Sequence, residues 1–176
     1  RSRRGGQSGR RLVAVSGRIV GFSPCADAES RLLILGSFPS VKSRAEGFYY
    51  GNPHNRFWKT VCAYFGEEVP SDVAGKRDFL ARRHIALWDV VLSCEIRGSA
   101  DASIREEEVA DVAGLVEGSR IAAVFCNGKL SHKLLTARVT PLSVPVVCLP
   151  STSPANPRFD AAVWHNALQG VFGGRS

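Results

Sequence analysis

Four short runs of apolar, mostly branched residues recur along the chain, and segments of helical periodicity lie between them. The runs cover residues 31–35, 85–91, 121–125 and 144–149. Continuous apolar runs of this length, bounded by turn residues, are typical of strands that a parallel sheet buries on both faces. We therefore predict one sheet of four strands. Pro145 indicates that the last strand lies at an edge of this sheet or begins near this residue.

Helices are predicted between these strands because apolar residues recur there with helical spacing. In the first such segment Phe57, Val61 and Phe65 fall on one face, and Asn55 is a favourable N-cap. The predicted helices cover residues 55–65, 71–83, 104–117, 129–137 and 161–171, and residues 93–103 are predicted to form a polar connection. The alternation indicates the α/β class, as a three-layer α/β/α sandwich with a central, mainly parallel four-stranded sheet.

The basic charge of the chain is concentrated at its N-terminus. The sequence has 23 lysines and arginines against 16 aspartates and glutamates, a net charge of +7. Six arginines precede Asp27, the first acidic residue, so the remainder carries 17 basic residues (23 less 6) against 16 acidic ones. We predict a flexible basic arm over residues 1–20 and a single domain over residues 21–176. Such an arm either binds phosphate backbones without sequence preference or is a solvated extension.

The five cysteines are widely spread and include no Cys-x-x-Cys pair. This pattern indicates reduced thiols and a cytoplasmic protein, and it argues against a zinc or iron–sulfur site. No apolar run has the length of a membrane span, and neither Gly-x-x-x-x-Gly-Lys nor Gly-x-Ser-x-Gly is present. We expect a monomer that uses neither a metal nor an organic cofactor and that does not associate with membranes.

Polar or conformationally special residues follow all four predicted strands. They are Gly36 and Ser37, Asp89, Asn127 and Gly128, and Ser151 to Ser153. Turn chemistry alone accounts for any one of these groups. Because the carboxyl ends of parallel strands meet at one edge of a sheet, where open α/β sheets bind their ligands, the whole set favours one binding site.

Three motifs together resemble the uracil-DNA glycosylase superfamily, and within it most clearly the DNA-deoxyinosine (hypoxanthine-DNA) glycosylases. The motifs are Gly36-Ser-Phe-Pro-Ser40, then Tyr49-Tyr-Gly-Asn-Pro-His-Asn-Arg-Phe-Trp58, then Leu149-Pro-Ser-Thr-Ser-Pro-Ala-Asn156. The resemblance covers residues 31–170. It implies an α/β/α sandwich and a monofunctional enzyme acting on DNA that contains deaminated bases. Such an enzyme flips the base, hypoxanthine or uracil, out of the duplex and hydrolyses its N-glycosidic bond.

The resemblance also implies a water-orienting residue, and this chain departs from the commonest pattern there. Many members carry Asp or Asn where this sequence has Phe38. In the hypoxanthine branch an Asn of the first loop region is implied instead, and Asn52 and Asn55 are both available. We favour Asn52 as the catalytic residue, because Asn55 is equally well explained as a helix cap.

Other residues take implied roles in holding the base. Phe38 and Tyr49 would shape the pocket, and Tyr50 would stack on the flipped base. Asp89 lies where relatives place base-reading residues, although it could instead cap the following turn. Asn127 suits polar readout of the base or a phosphate contact, or simply an Asn-Gly turn.

The last motif resembles the loop that pinches the DNA backbone and enters the minor groove. Hydroxyls and loop amides can hold phosphate, and the candidates for this role are Ser40, Ser151, Thr152 and Ser153. Asn156 and Arg158 could fill the space that the flipped base leaves. His54 is a weaker candidate for stabilising the departing base.

Two other functions compete with this hypothesis. A catalytically inactive DNA-binding module is favoured by Phe38, which cannot position a water. A nucleotide or nucleoside hydrolase would be expected to show a phosphate loop or a cluster of carboxylates, and the sequence has neither.

Overall fold

The computed structural model describes residues 17–96 and 104–174. The strands are β1 (Arg18–Val20), β2 (Leu32–Gly36), β3 (Ile85–Asp89), β4 (Val91–Ile96), β5 (Ile104–Val109), β6 (Ala123–Asn127) and β7 (Val146–Leu149). The helices are α1 (Val41–Glu46), α2 (Phe57–Tyr64), α3 (Val73–Arg83), α4 (Val112–Glu117), α5 (Lys129–Arg138) and α6 (Ala161–Phe172). None of the helices in these two ranges is long and apolar enough to cross a bilayer.

The central sheet is parallel and has the strand order β3-β2-β6-β7. All five residues of β2 are buried, since the strand has a partner on each side and helices cover the sheet. The predicted α/β/α sandwich with four parallel strands is therefore confirmed, and β7 lies at the predicted edge. Strand order reverses between β2 and β6, which makes their carboxyl ends the expected place for a binding crevice.

An aromatic cluster joins the sheet to two helices. Trp164 of α6 is fully buried, and its ring centroid lies 6.1 Å from that of Phe57 in α2 and 6.5 Å from that of Phe125 in β6, edge to face in both cases. The indole N–H of Trp164 donates to the carbonyl of Pro150, 2.8 Å away. The core thus reaches directly to the segment that follows β7.

A second sheet was not predicted. It is antiparallel, with the order β1-β4-β5. Residues 104–109, predicted as the start of an acid-rich helix, form β5, and only Val112–Glu117 is helical. Residues 93–96 of the predicted polar connection belong to β4, and residues 97–103 lie outside the described part of the chain. The helix prediction was wrong for residues 104–109 because pairing between strands overrides the helical preference of a glutamate-rich segment.

Other boundaries also differ from the predictions. The predicted strand over residues 85–91 is divided, and the chain passes from the parallel sheet to the antiparallel one at Val90. The backbone N–H of Val90 donates to Gly36 at 2.9 Å, which keeps the ends of β2 and β3 together. Residues 1–16 of the predicted flexible arm lie outside the described part of the chain, whereas Arg18–Val20 form β1. Helix α1 lies in the first loop, where no helix was predicted.

We expect the Trp164→Ala variant to be less stable by about 3–5 kcal/mol, because the substitution leaves a large cavity in the aromatic cluster. Urea denaturation measures the free energy of unfolding. The neighbouring Val163 is 40% exposed, so Val163→Ala is the matched control and should change this free energy by less than about 0.5 kcal/mol. Equal stability of the two variants would contradict the packing described for Trp164.

Candidate active site

A cavity of about 180 Å3 lies at the carboxyl ends of the central strands. At about 30 Å3 per liquid water, this is the volume of about six waters and suits one small ring system. It brings together most of the predicted site residues: Phe38, Ser40, Tyr49, Tyr50, Asn52, Asn55, Asp89, Asn127, Ser151, Thr152 and Ser153 all line it. Asn156 and Arg158 do not line it and lie on an adjoining groove.

Asp89, the last residue of β3, forms part of the cavity wall and is only 5% exposed. One carboxyl oxygen lies so close to Gly36 that a Cβ there would collide with it, which explains a glycine at the end of β2. The other oxygen, Oδ2, is buried and has no hydrogen-bond partner within the described residues. Burial raises the pKa of Asp89 to about 7, because desolvation disfavours the carboxylate.

Tyr50 places a second unpartnered group in this cavity. Its hydroxyl oxygen is buried and has no hydrogen-bond partner in the part of the chain that the structure describes. Burial raises the pKa of Tyr50, and the nearby Asp89 raises it further, so the phenol is neutral. The amide of Asn127 acts in the opposite direction on this pKa, although no hydrogen bond of normal geometry joins the two groups.

The backbone at Tyr50 is left-handed, with φ of 54°. A bulky residue pays of the order of 1–2 kcal/mol for this conformation, so other contacts must hold it. The ring stacks on Phe57 with centroids 4.1 Å apart, and the following N–H, of Gly51, donates to the Ser43 hydroxyl at 3.2 Å. Strain that is fixed in this way is characteristic of functional sites. One face of the Tyr50 ring thus packs against the core, and its hydroxyl lies near Asp89.

Helix α1 anchors this loop. Ser40 caps the helix and accepts from the backbone N–H of Ser43 at 3.1 Å, and Ser43 in turn holds Gly51. The side chain of Ser40 is therefore already engaged at the cavity rim, and its predicted contact with DNA stays a prediction.

The two candidate water-orienting asparagines both line the cavity. The side-chain oxygen of Asn52 accepts from the backbone N–H of His54 at 3.0 Å. The side-chain oxygen of Asn55 accepts from the backbone N–H of Phe57 at 2.9 Å, at the start of α2. The N-cap of α2 is Arg56 rather than the predicted Asn55, and Asn55 satisfies a free amide of the helix from the position before the cap. Each amide oxygen has a second lone pair for another donor.

The aromatic residues of the pocket differ in their freedom. Tyr49 is 3% exposed, and its hydroxyl donates to the carbonyl of Ser23 at 2.8 Å, so it is a fixed wall. Phe38 is half-buried, and the Arg44 guanidinium lies 5.9 Å from its ring centroid. Phe38 therefore offers an aromatic ring at the position where the resemblance implies Asp or Asn in many members of the superfamily.

Asn127 and Thr152 form a reciprocal pair. The Asn127 amide nitrogen donates to the Thr152 hydroxyl, and the Asn127 oxygen accepts from the Thr152 backbone N–H, both at 2.9 Å. The side chain of Thr152 is 1% exposed. It fastens the last loop to β6, and its predicted contact with DNA stays a prediction. Asn127 uses one of its two amide donors and one of its two acceptor lone pairs on this loop, and base reading by it stays a prediction.

Arg56, which the sequence reasoning missed, fastens the same loop to α2. Its guanidinium donates to the carbonyls of Ser153 and Asn156, the latter at 2.8 Å, and its backbone N–H donates to the carbonyl of Thr152 at 3.0 Å. The guanidinium carbon also lies 4.4 Å from the ring centroid of Phe159. The sequence did contain a signal for this role. A basic residue at the positive end of a helix is electrostatically unfavourable unless acceptors such as these carbonyls compensate for it.

A larger groove of about 640 Å3 adjoins the cavity along the last loop. Lys129 and Arg158, both exposed, contribute positive charge to it, and Ser151 and Ser153 are shared with the cavity. The hydroxyls of Ser151 and Ser153 accept backbone N–H groups of the loop itself, each at 3.2 Å. The rim of the site is therefore cationic, whereas no Lys, Arg or His is among the described residues that line the cavity.

Gly128 begins helix α5 at the junction of cavity and groove. Its φ of 98° and the closeness of Ser151, whose Cβ would lie 3.0 Å from a Cβ at this position, require glycine. No side chain caps this helix. Across residues 17–96 and 104–174, no three His, Cys, Asp or Glu side chains are arranged to hold a metal ion. The exposed His54 lies outside the cavity lining, and His165 contacts the carbonyl of Thr60.

Comparison with known proteins shows what this chain is similar to. The family model of the uracil DNA glycosylase superfamily matches residues 22–168. A hypoxanthine DNA glycosylase from Methanosarcina acetivorans is 36% identical over 142 residues, which are 79% of this chain and 89% of that protein. One from Methanosarcina barkeri is 34% identical over 113 residues, 63% of this chain and 72% of that protein. The solution structure of a candidate uracil DNA glycosylase from M. acetivorans has a TM-score of 0.74 at 32% identity, covering 88% of this chain and 99% of that one.

We expect the Arg56→Ala variant to stay folded but to open the loop over residues 151–156. Carbonyls left without a donor cost about 1–3 kcal/mol, so protected amides of Thr152 and Asn156 should exchange with solvent about tenfold faster or more. Arg56→Lys should restore protection only in part, because an ammonium lacks the planar fork. Lys59→Ala, on the exposed side of α2, is the control. Unchanged exchange in Arg56→Ala would refute the clamp.

Proposed function

This chain belongs to the uracil DNA glycosylase superfamily and is a DNA glycosylase, a hydrolase of N-glycosidic bonds, and we propose that it removes deaminated bases from DNA, hypoxanthine foremost and uracil second. The observation that carries the proposal is the cavity with two buried, unpartnered polar atoms, Oδ2 of Asp89 and the Tyr50 hydroxyl. Native proteins leave few such groups unsatisfied, so a ligand is the expected partner. The names of the two Methanosarcina relatives favour hypoxanthine as that ligand.

A base can occupy this cavity only after it has left the DNA stack. Unpairing and unstacking cost a few kcal/mol, and a deaminated or mispaired base costs least. The cavity wall offers rings of Phe38 and Tyr49 and polar atoms of Asp89 and Tyr50, which suits an extruded aromatic ring with a polar edge. The cationic groove with Lys129 and Arg158 suits the phosphates on either side of the flipped nucleotide.

The reaction breaks the C1′–N bond of the nucleotide. The base leaves with the bonding electrons as an anion, and the sugar gains oxocarbenium character. A water then forms the new C1′–O bond and releases a proton, while the base anion takes one up. We assign the orientation of this water to Asn52, whose side-chain oxygen retains a lone pair beside the cavity.

Charge on the departing base also needs stabilisation. Helix α2 starts at this edge of the sheet, and so does α5 with an uncapped first turn. The positive ends of both helices would favour negative charge that develops on the base at this edge of the sheet. An amide is a feeble base, so this mechanism relies on leaving-group stabilisation more than on proton removal from water.

A second candidate function is an inactive DNA-binding module. Phe38 favours it, because this side chain cannot position a water. The presence of both Asn52 and Asn55 in the cavity wall argues for turnover instead.

Base release tests the proposed function. Labelled duplexes carrying deoxyinosine, deoxyuridine, deoxyxanthosine or a G·T mismatch are incubated with the protein, and abasic sites are scored by cleavage in alkali. We expect release of hypoxanthine, with uracil slower. DNA binding without any release would support the inactive module, and absence of both would point to a small nucleotide as substrate.

We expect the Asn52→Ala variant to lose about 100-fold or more of its single-turnover rate of base release while its affinity for damaged DNA changes little. The physical reason is that water orientation contributes to the transition state more than to binding. Asn52→Asp keeps an acceptor oxygen and should retain part of the rate. Asn55→Ala, which removes the acceptor of the Phe57 N–H in the first turn of α2, should chiefly lose about 1 kcal/mol of stability. If Asn55→Ala loses the rate and Asn52→Ala keeps it, the water belongs to Asn55.

A further inference from the structure

Among residues 17–96 and 104–174, no cation forms an ion pair with the carboxyl group of Asp89. Burial is what raises its pKa to about 7. The titratable side chains that face it are Tyr49 from the first loop and Tyr50 beside it, and both are phenols with raised pKa values. Gly36 of β2 presents only backbone to it, and Asn127 of β6 is uncharged. An isolated carboxylate in such surroundings is disfavoured against the neutral acid.

We propose that Asp89 binds the flipped base as a neutral carboxylic acid, with its O–H donating to a ring carbonyl oxygen and its C=O accepting from the adjacent ring N–H. This inference rests on the proposed function and deepens it. The class of ligand it defines is a base with a lactam edge, –NH–C(=O)–, such as hypoxanthine, uracil or xanthine.

The neutral acid matches a lactam because each group offers one donor and one acceptor side by side. An ionised carboxylate offers acceptors alone, so it would face the ring carbonyl oxygen with like charge. The mismatch would worsen during the reaction, because the departing base becomes an anion with charge on that same oxygen. An O–H donor instead gains strength as the charge develops, which is stabilisation specific to the transition state.

The position of Asp89 supports this geometry. One of its oxygens occupies the space that a Cβ at Gly36 would need, at the end of β2, so the glycine makes room for this position of the carboxyl group. Its Oδ2 is the atom left without a partner. Tyr50 also lines the cavity, and its hydroxyl, which has no partner within the described residues, lies near Gly36 as Asp89 does.

The test compares wild type with Asp89→Asn, because an asparagine has the donor and acceptor pattern of the neutral acid at every pH. The quantity measured is kcat/KM for hypoxanthine release from a duplex, which reports ionisation of the free enzyme. With an acid that ionises near pH 7, the ratio of wild type to Asp89→Asn should fall about tenfold between pH 6 and pH 8. Asp89→Ala should lose at least another tenfold relative to Asp89→Asn at both pH values.

Asp78 provides the matched control, since it is an exposed aspartate on α3 far from the cavity lining. The ratio of wild type to Asp78→Asn should not change with pH. A wild type to Asp89→Asn ratio that is also constant would overturn the inference. So would a ratio that rises with pH, since that behaviour would make Asp89 a general base that acts when ionised. If wild type releases no base at any pH, the proposed function itself has failed.

Thermal unfolding without DNA gives a second measurement that needs no turnover. The pKa of Asp89 is about 7 in the folded protein, against an ordinary value of 3.8. At a pH between these two values the folded state therefore holds a proton that the unfolded state has released. Wild type should therefore lose stability relative to Asp89→Asn as the pH rises from about 4 to about 7, with no further change above that. A difference in Tm that is independent of pH would contradict a neutral Asp89.

Discussion

The cavity depends on one physical connection, the fastening of the last loop to the beginning of α2. Arg56 and the loop carbonyls it binds are 96 to 100 residues apart in the chain, and these bonds join the loop that carries Ser151 to the segment that carries Asn55, both of which line the cavity. Loop carbonyls that turn inward need donors, and a planar guanidinium can serve several at once. Asn127 and Thr152 hold the other side of the loop to β6. Without these bonds, Asn52 and Ser151 would have no common cavity.

Basic side chains and the other polar groups occupy different parts of the site. The cavity contains polar groups without cations, and the basic side chains Lys129 and Arg158 lie on the adjoining groove. This separation suits the proposed substrate, because phosphates need cations whereas a neutral base needs matched donors and acceptors. A lysine or arginine inside the cavity would also favour the ionised form of Asp89. The proposed reaction would therefore use both an interior without cations and a cationic rim.

Much of the fold could be predicted from local patterns. The apolar runs of β2, β3, β6 and β7 indicated the parallel sheet because burial on both faces selects against polar residues at every position. The same reasoning failed for residues 104–109, since a strand with many glutamates has no such signature. Helix α1 was missed because six residues are too few to show a helical period.

By itself, the sequence determined that polar residues would meet at the carboxyl edge of a parallel sheet and which loops would supply them. These properties follow from strand direction and side-chain chemistry, which are local. Only the tertiary structure decided that Thr152 is buried against Asn127, that Arg56 clamps the loop and that Asp89 lies without a partner beside Tyr50. Burial and the presence of a partner depend on residues far away in the chain, and those two quantities set whether a polar side chain holds the fold together or remains free for a ligand.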